Sequence, residues 1–116
     1  KTEAHKEKKF YKLLVNDLSQ IFDNDLKSIK KILEIRDLGR RILKWSYPYE
    51  YFLDPNSVNL RIFKYLQLQL EIEMEKLCFQ IHYTDRNKNK IEKAAKKVDL
   101  AINSLLKHVD EDRMKE

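Results

Sequence analysis

Apolar residues return every three or four positions along four stretches of this chain, the period of a helix that buries one face. The first stretch carries Phe10, Leu13, Leu14, Leu18, Ile21 and Phe22, and predicts a helix over about residues 4–22. Asp23, Asn24 and Asp25 end it. Asp25 suits the cap position of the next helix, because its carboxylate can accept from the free N–H groups of the first turn. The second stretch carries Ile29, Ile32, Leu33, Leu38, Ile42, Trp45, Tyr49 and Phe52. Pro48 lies inside it and has no N–H for the carbonyl of Lys44, so a kink or break is expected near Pro48. Gly39 weakens the middle of this helix by about 1 kcal/mol relative to Ala, and its missing side chain allows another helix to come close.

Asp54-Pro55-Asn56-Ser57 reads as a stop and restart, with Asp54 the expected cap and Pro55 at the first helical position. Phe63, Leu66, Leu70, Met74, Leu77 and Ile81 then form one stripe in a helix running to about residue 82. Thr84 to Asn87 makes a turn, and Ile91, Ala94, Ala95, Val98, Ile102, Leu105 and Val109 mark the last helix. The charged tail 110–116 is expected to fray. Short connections force neighbouring helices antiparallel. The expected fold is all-α, an up-down antiparallel bundle of about four helices in a single domain over 1–116.

Composition narrows the function. The 116 residues contain one Gly and two Pro, too few turn-formers for a β-sandwich or barrel. A Gly-rich phosphate loop cannot be written with one glycine. One cysteine, Cys78, excludes a disulfide framework and a Cys-rich zinc module, and points to a reducing compartment, cytoplasmic or nuclear. No apolar run approaches the length of a membrane span, so no membrane partner is expected. The chain begins at Lys1 and reads as a segment of something longer. A net charge of +5 and a pI near 9.2 raise the prospect of an acidic partner. Most of the basic residues are Lys rather than Arg, which weakens a nucleic-acid reading.

No catalytic set emerges. His5, His82 and His108 fall in separate segments. Cys78 and His82 lie one turn apart, but two ligands do not make a zinc site, and Cys78 reads instead as a small buried hydrophobe beside the core stripe. Glu71, Glu73 and Glu75 form a carboxylate row, with Glu71 and Glu75 one turn apart on one face. Such a pair could bind a metal, do acid–base work or reach a partner domain, although a solvated face is the commoner outcome. Arg86, Lys90, Lys93 and Lys97 fall on one stripe of the last helix, with Lys88 and Lys96 nearby. That stripe could track phosphates, but it has no interleaved aromatics, and Glu92 and Asp99 lie close. Between Lys44 and Phe52 five of nine residues are aromatic: Trp45, Tyr47, Tyr49, Tyr51 and Phe52. They cannot all face one core stripe. They are either a broad core where two helices cross or a partner-facing patch.

The run Arg40-Arg41-Ile42-Leu43-Lys44-Trp45-Ser46-Tyr47-Pro48-Tyr49-Glu50-Tyr51-Phe52-Leu53-Asp54-Pro55 resembles the middle of the C-terminal Ariadne domain of Ariadne-type RING-between-RING (RBR) E3 ubiquitin ligases. The family pattern continues with a phenylalanine, a glutamine four later and glutamates at four-residue steps, matched here by Phe63, Gln67, Glu71 and Glu75. Ile29-Lys30-Lys31 through Arg40 also fits the helix before the motif. The resemblance covers about residues 26–83 and is similar in its Ser46-Tyr47-Pro48-Tyr49 wording to the ankyrin-repeat-bearing branch.

The resemblance implies a regulatory lid rather than a catalyst. In this family one RING recruits a ubiquitin-loaded E2, and a cysteine in the last RING accepts ubiquitin as a thioester before passing it to a lysine. The Ariadne domain packs on that last RING of the same chain and holds it inactive until a partner, such as a neddylated cullin-RING ligase, releases it. Zinc would sit in the RING modules, which one cysteine cannot build. By register Glu75 matches a family glutamate that contacts the last RING, with Glu71 one turn before it. Phe10 is the candidate for a second family contact, a Phe-Glu pair, although Tyr11 follows it here. The alternative class is a basic helical nucleic-acid-binding module, using Lys93 and Lys97.

Overall fold

The computed structural model describes residues 2–114, with side chains over 6–113. The expected bundle is present: α1 (Thr2–Ile21), α2 (Leu26–Tyr49), α3 (Val58–His82) and α4 (Lys88–Met114), with a short 3-10 turn, Glu50–Phe52, after α2. No strand occurs among the described residues. His5 has its side chain outside them.

Each boundary has a local cause. Asp23 and Asn24 take positive φ angles of 49° and 62°. This lets the Asn24 N–H reach back to the Ser19 carbonyl at 2.9 Å and close α1. Short polar side chains tolerate that left-handed backbone better than other non-glycine residues. Asp25 caps α2 as expected: its carboxylate accepts from the Ser28 N–H at 3.5 Å and from the Ser28 hydroxyl at 2.9 Å. Those bonds, the hydroxyl first, hold its pKa below the ordinary value.

Of the next two boundaries, one is the break expected near Pro48 and the other differs from expectation. Pro48 sits in the last turn of α2, and the α-helix ends one residue later. The proline therefore marks an ending, and Phe52 lands on the 3-10 turn, 86% exposed, instead of continuing the stripe. The cap of α3 is Ser57 and not Asp54. Ser57 has the extended backbone a cap needs, and its Oγ accepts from the Leu60 N–H at 3.1 Å. Asp54 closes a local turn instead, accepting from the Asn56 N–H at 3.0 Å, and Pro55 stays in the loop. At the far end α4 is helical as far as Met114, within the stretch expected to fray.

The core forms along one face of each helix. Leu14 and Leu18 of α1, with Phe22 just after it, join Ile29 and Ile32 of α2; Phe63, Leu70, Leu77 and Ile81 come from α3, and Ile91, Val98, Ile102 and Leu105 from α4. Gly39 meets Met74, and Ser46 meets Gln67, so moving forward along α2 means moving back along α3. Asn59 bonds Asp112, which makes α3 and α4 antiparallel too. The molecule is 22 Å across its thinnest axis, about two helix diameters, so the bundle is two helices deep. Its radius of gyration of 16.1 Å exceeds the roughly 13 Å expected for this length, as suits long helices in a flat arrangement.

Candidate functional site

Residues 6–13 of α1 are exposed. Phe10, Tyr11 and Leu13 are exposed, although the periodicity assigned Phe10 and Leu13 to the buried face. Between this part of α1, the middle of α2 and the end of α3 lies a groove of about 480 Å³. Leu14, Met74, Leu77 and Ile81 make it apolar. Lys6, Glu7, Arg36, Arg40 and Glu75 bring charge of both signs to it. Phe10 also lines the groove. Phe10 and Glu75, far apart in sequence, are thus brought to one site.

The groove's electrostatics follow from partial burial. Arg36 lies deep in its wall, and burial pulls its pKa below the ordinary arginine value, with repulsion from Arg40 adding to the effect. It pairs with Asp37, at 3.3 Å. Arg40 reaches Glu7 across the mouth at 3.9 Å, with both side chains largely in water, so this pair adds little. At the other end α1 is tied to α3. The His82 Nδ1 lies 3.1 Å from Asp17, Arg86 lies 3.5 Å from the same carboxylate, and Phe10 meets the His82 ring edge-on at 5.9 Å.

Cys78 is exposed in this groove, which corrects its reading as a buried hydrophobe. One residue beyond Leu77 is 100° further round the helix, and that turns Cys78 off the core stripe toward the gap between α1 and α2. His82 lines the same groove. Among the described residues no group of three or more His, Cys, Asp or Glu could hold a metal ion.

The carboxylate row splits three ways. Glu71 is committed inside the molecule: it accepts from the Tyr47 hydroxyl and ties α2 to α3. That hydrogen bond pushes the Tyr47 pKa up to about 12, because ionising the phenol would set two negative charges together. Glu73 faces α4. Glu75 is exposed and lines grooves on both flanks of α3. The aromatic run divides as well. Tyr49 stacks on Trp45 at 4.7 Å, leans on Phe63 at 5.3 Å and packs against the core, so it belongs to the core reading. Trp45 and Tyr47 are partly open, and Tyr51 is 87% exposed.

Sequence reasoning missed one buried contact and the groove's basic wall. Gln67 donates to the Ser46 Oγ at 2.8 Å, and Ser46 donates to the Leu43 carbonyl at 2.7 Å. Both side chains are buried, and their signal was a polar residue at a core position on each of two facing stripes. Arg36 and Arg40 flank Gly39, where close helix approach was already expected.

Comparison with known proteins bears on about half the chain. Over 58 residues it is 45% identical to the human protein named ankyrin repeat and IBR domain-containing protein 1, and 43% identical to the mouse protein of that name. The match takes in 48% of this chain and only 5% of either relative, so the chain spans a small part of their length. No family model and no solved structure matches. Over that half of its length, then, the chain is related to ankyrin-repeat-bearing proteins of the Ariadne type, the family its Arg40–Pro55 wording resembles.

Proposed function

We propose that this chain is the autoinhibitory helical domain of an RBR E3 ubiquitin ligase, packing on the catalytic last RING until an activating partner binds. The observation that carries the reading is the shared groove of Phe10 and Glu75. These are two of the three positions the family resemblance offers for that contact, Glu71 being the third, and they come from different helices. An apolar floor suits an apolar side chain of the RING surface, and the exposed Glu75 carboxylate suits its N–H or cationic donors. Glu71 acts through Tyr47, holding α2 against α3 so that Arg36 and Arg40 keep their place in the groove wall.

In this reading ubiquitin transfer belongs to the rest of the ligase. The zinc-bearing RING modules recruit E2 and carry the thioester, the exposed Trp45 and Tyr51 face a neighbouring module, and a neddylated cullin-RING ligase is the activating partner. In the same reading the ligase works in the cytoplasm or nucleus; no helix among the described residues is long and apolar enough to cross a membrane.

The test is made in the full-length ligase. Glu75→Ala and Phe10→Ala each remove an exposed side chain and leave the bundle intact. Basal autoubiquitination without any activator is expected to rise in each. Basal transfer unchanged in both variants would retire the lid reading.

A further inference from the structure

On the other flank of α3 a second, more open groove of about 540 Å³ runs along α4. Ile72 and Phe79 of α3 and Ala94 of α4 give it an apolar floor. Lys90, Lys93 and Lys97 line the α4 side, and Lys76 joins them from α3. All four lysines are exposed. Only Lys90 has a recorded ion pair among the described residues, with Asp85 at 3.4 Å, and both of those side chains are mostly in water. The aromatics that the sequence pattern denied this stripe come from the neighbouring helix: Phe79 lies in the groove, and Tyr83 stacks on it at 5.9 Å. Glu73 also lines the groove, and its Oε1 is shielded from solvent with no hydrogen-bond partner.

We propose that the α3–α4 groove docks an acidic amphipathic helix of a partner protein. The reading does not rest on the lid function. Charge complementarity selects an acidic partner, because four exposed lysines, only Lys90 of them in an ion pair among the described residues, border an apolar floor. Pitch selects a helix. Lys90, Lys93 and Lys97 advance by about 4.5 and 6 Å along α4, so acids spaced three and four apart on an opposed helix meet them in step. A third helix also packs naturally over the groove between two antiparallel ones, its apolar ridge reaching the floor. Glu73 and Glu75 argue against a nucleic-acid strand, since they would face its phosphates. A peptide can set apolar groups or a donor there instead.

The experiment uses the 116-residue chain and a fluorescent peptide of about five helical turns, with Glu on one face and Leu on the other. Anisotropy measures binding at low and moderate salt, beside a scrambled peptide and single-stranded oligo(dT). The amphipathic peptide is expected to bind more tightly than either. Amide shifts should cluster at residues 72–80 and 90–97. Lys93→Glu with Lys97→Glu should weaken binding by roughly tenfold or more, and a peptide carrying Lys in place of Glu should recover it. Both positions are exposed, so the double variant keeps its fold. Phe79→Ala should also weaken binding while leaving its salt dependence in place. Absent binding, affinity indifferent to the charge reversal, or tighter binding of the oligonucleotide would each overturn the proposal.

Discussion

Along the α2–α3 seam the two helices meet at backbone range. A Cβ placed on Gly39 would lie 2.5 Å from the Met74 sulfur, Ser46 and Gln67 bond in full burial, and Tyr47 reaches Glu71. Where α1 joins the bundle, the arrangement is different. Leu14, Leu18 and Phe22 are buried, while Leu13, one position away from Leu14, is 55% exposed, and the other ties among the described residues are ionic or edge-on contacts to Arg40, His82 and Arg86. One seam is fixed by close fit, one buried polar bond and a further hydrogen bond nearer the surface. The other buries side chains only from Leu14 onward. A helix anchored at one end opens locally at low free energy, and a groove whose wall is such a helix can widen for an occupant without unfolding the core.

That contrast can be broken most sharply within α1 itself. Leu18→Ala should cost about 2–5 kcal/mol of stability by leaving a cavity, whereas Leu13→Ala should stay within about 0.5 kcal/mol, both read by urea unfolding. If Leu13→Ala were as costly as Leu18→Ala, the whole of α1 would be anchored. At the other seam, Gly39→Leu should lower stability by about 1–3 kcal/mol, since the new side chain must displace Met74. Gly39→Ala should be milder, because about 1 kcal/mol of helix propensity offsets the shift of a flexible methionine. Gln67→Ala should cost about 1–3 kcal/mol by leaving Ser46 short of a donor in the interior, and Gln67→Glu should cost more by burying a charge there.

The smallest effect is electrostatic. The folded state raises the Tyr47 pKa from 10.0 to about 12, so the neutral phenol stabilises the fold fully below pH 10. That contribution should disappear as pH rises from 10 to 12. The difference in melting temperature between the parent chain and Tyr47→Phe should therefore shrink over this window, a comparison that cancels the titration of the lysines common to both.

The core of α3 and α4 was legible because a stripe at helical spacing has one solution: Phe63, Leu70, Leu77 and Ile81 are all buried, as are Ile91, Val98, Ile102 and Leu105. Gly39 was legible for a similar reason, as a gap in an otherwise filled face. Periodicity fails where a helix lacks a neighbour. Phe10 and Leu13 are in phase with Leu14 and Leu18, yet both stay about half exposed, so the pattern assigned them to a core that does not extend that far. Cys78 was misplaced because a step of one residue decides between core and groove, and the position of α1 decides which. The α3 cap went to Ser57 because Asp54 spends its carboxylate on its own turn, a competition that composition does not reveal. The Phe10–Glu75 groove required two helices to be placed in space before it existed at all.

The contact between Gly39 and Met74 acts as a detent. Sliding α2 along α3 by one residue, about 1.5 Å with a turn of 100°, would bring Leu38 or Arg40 to the place where the methionine now rests against bare backbone. Neither side chain fits there. The two helices can rock about this point, yet they cannot ratchet. Whatever force a bound partner exerts at the ends of the bundle is therefore transmitted as tilt, with the register of α2 against α3 preserved.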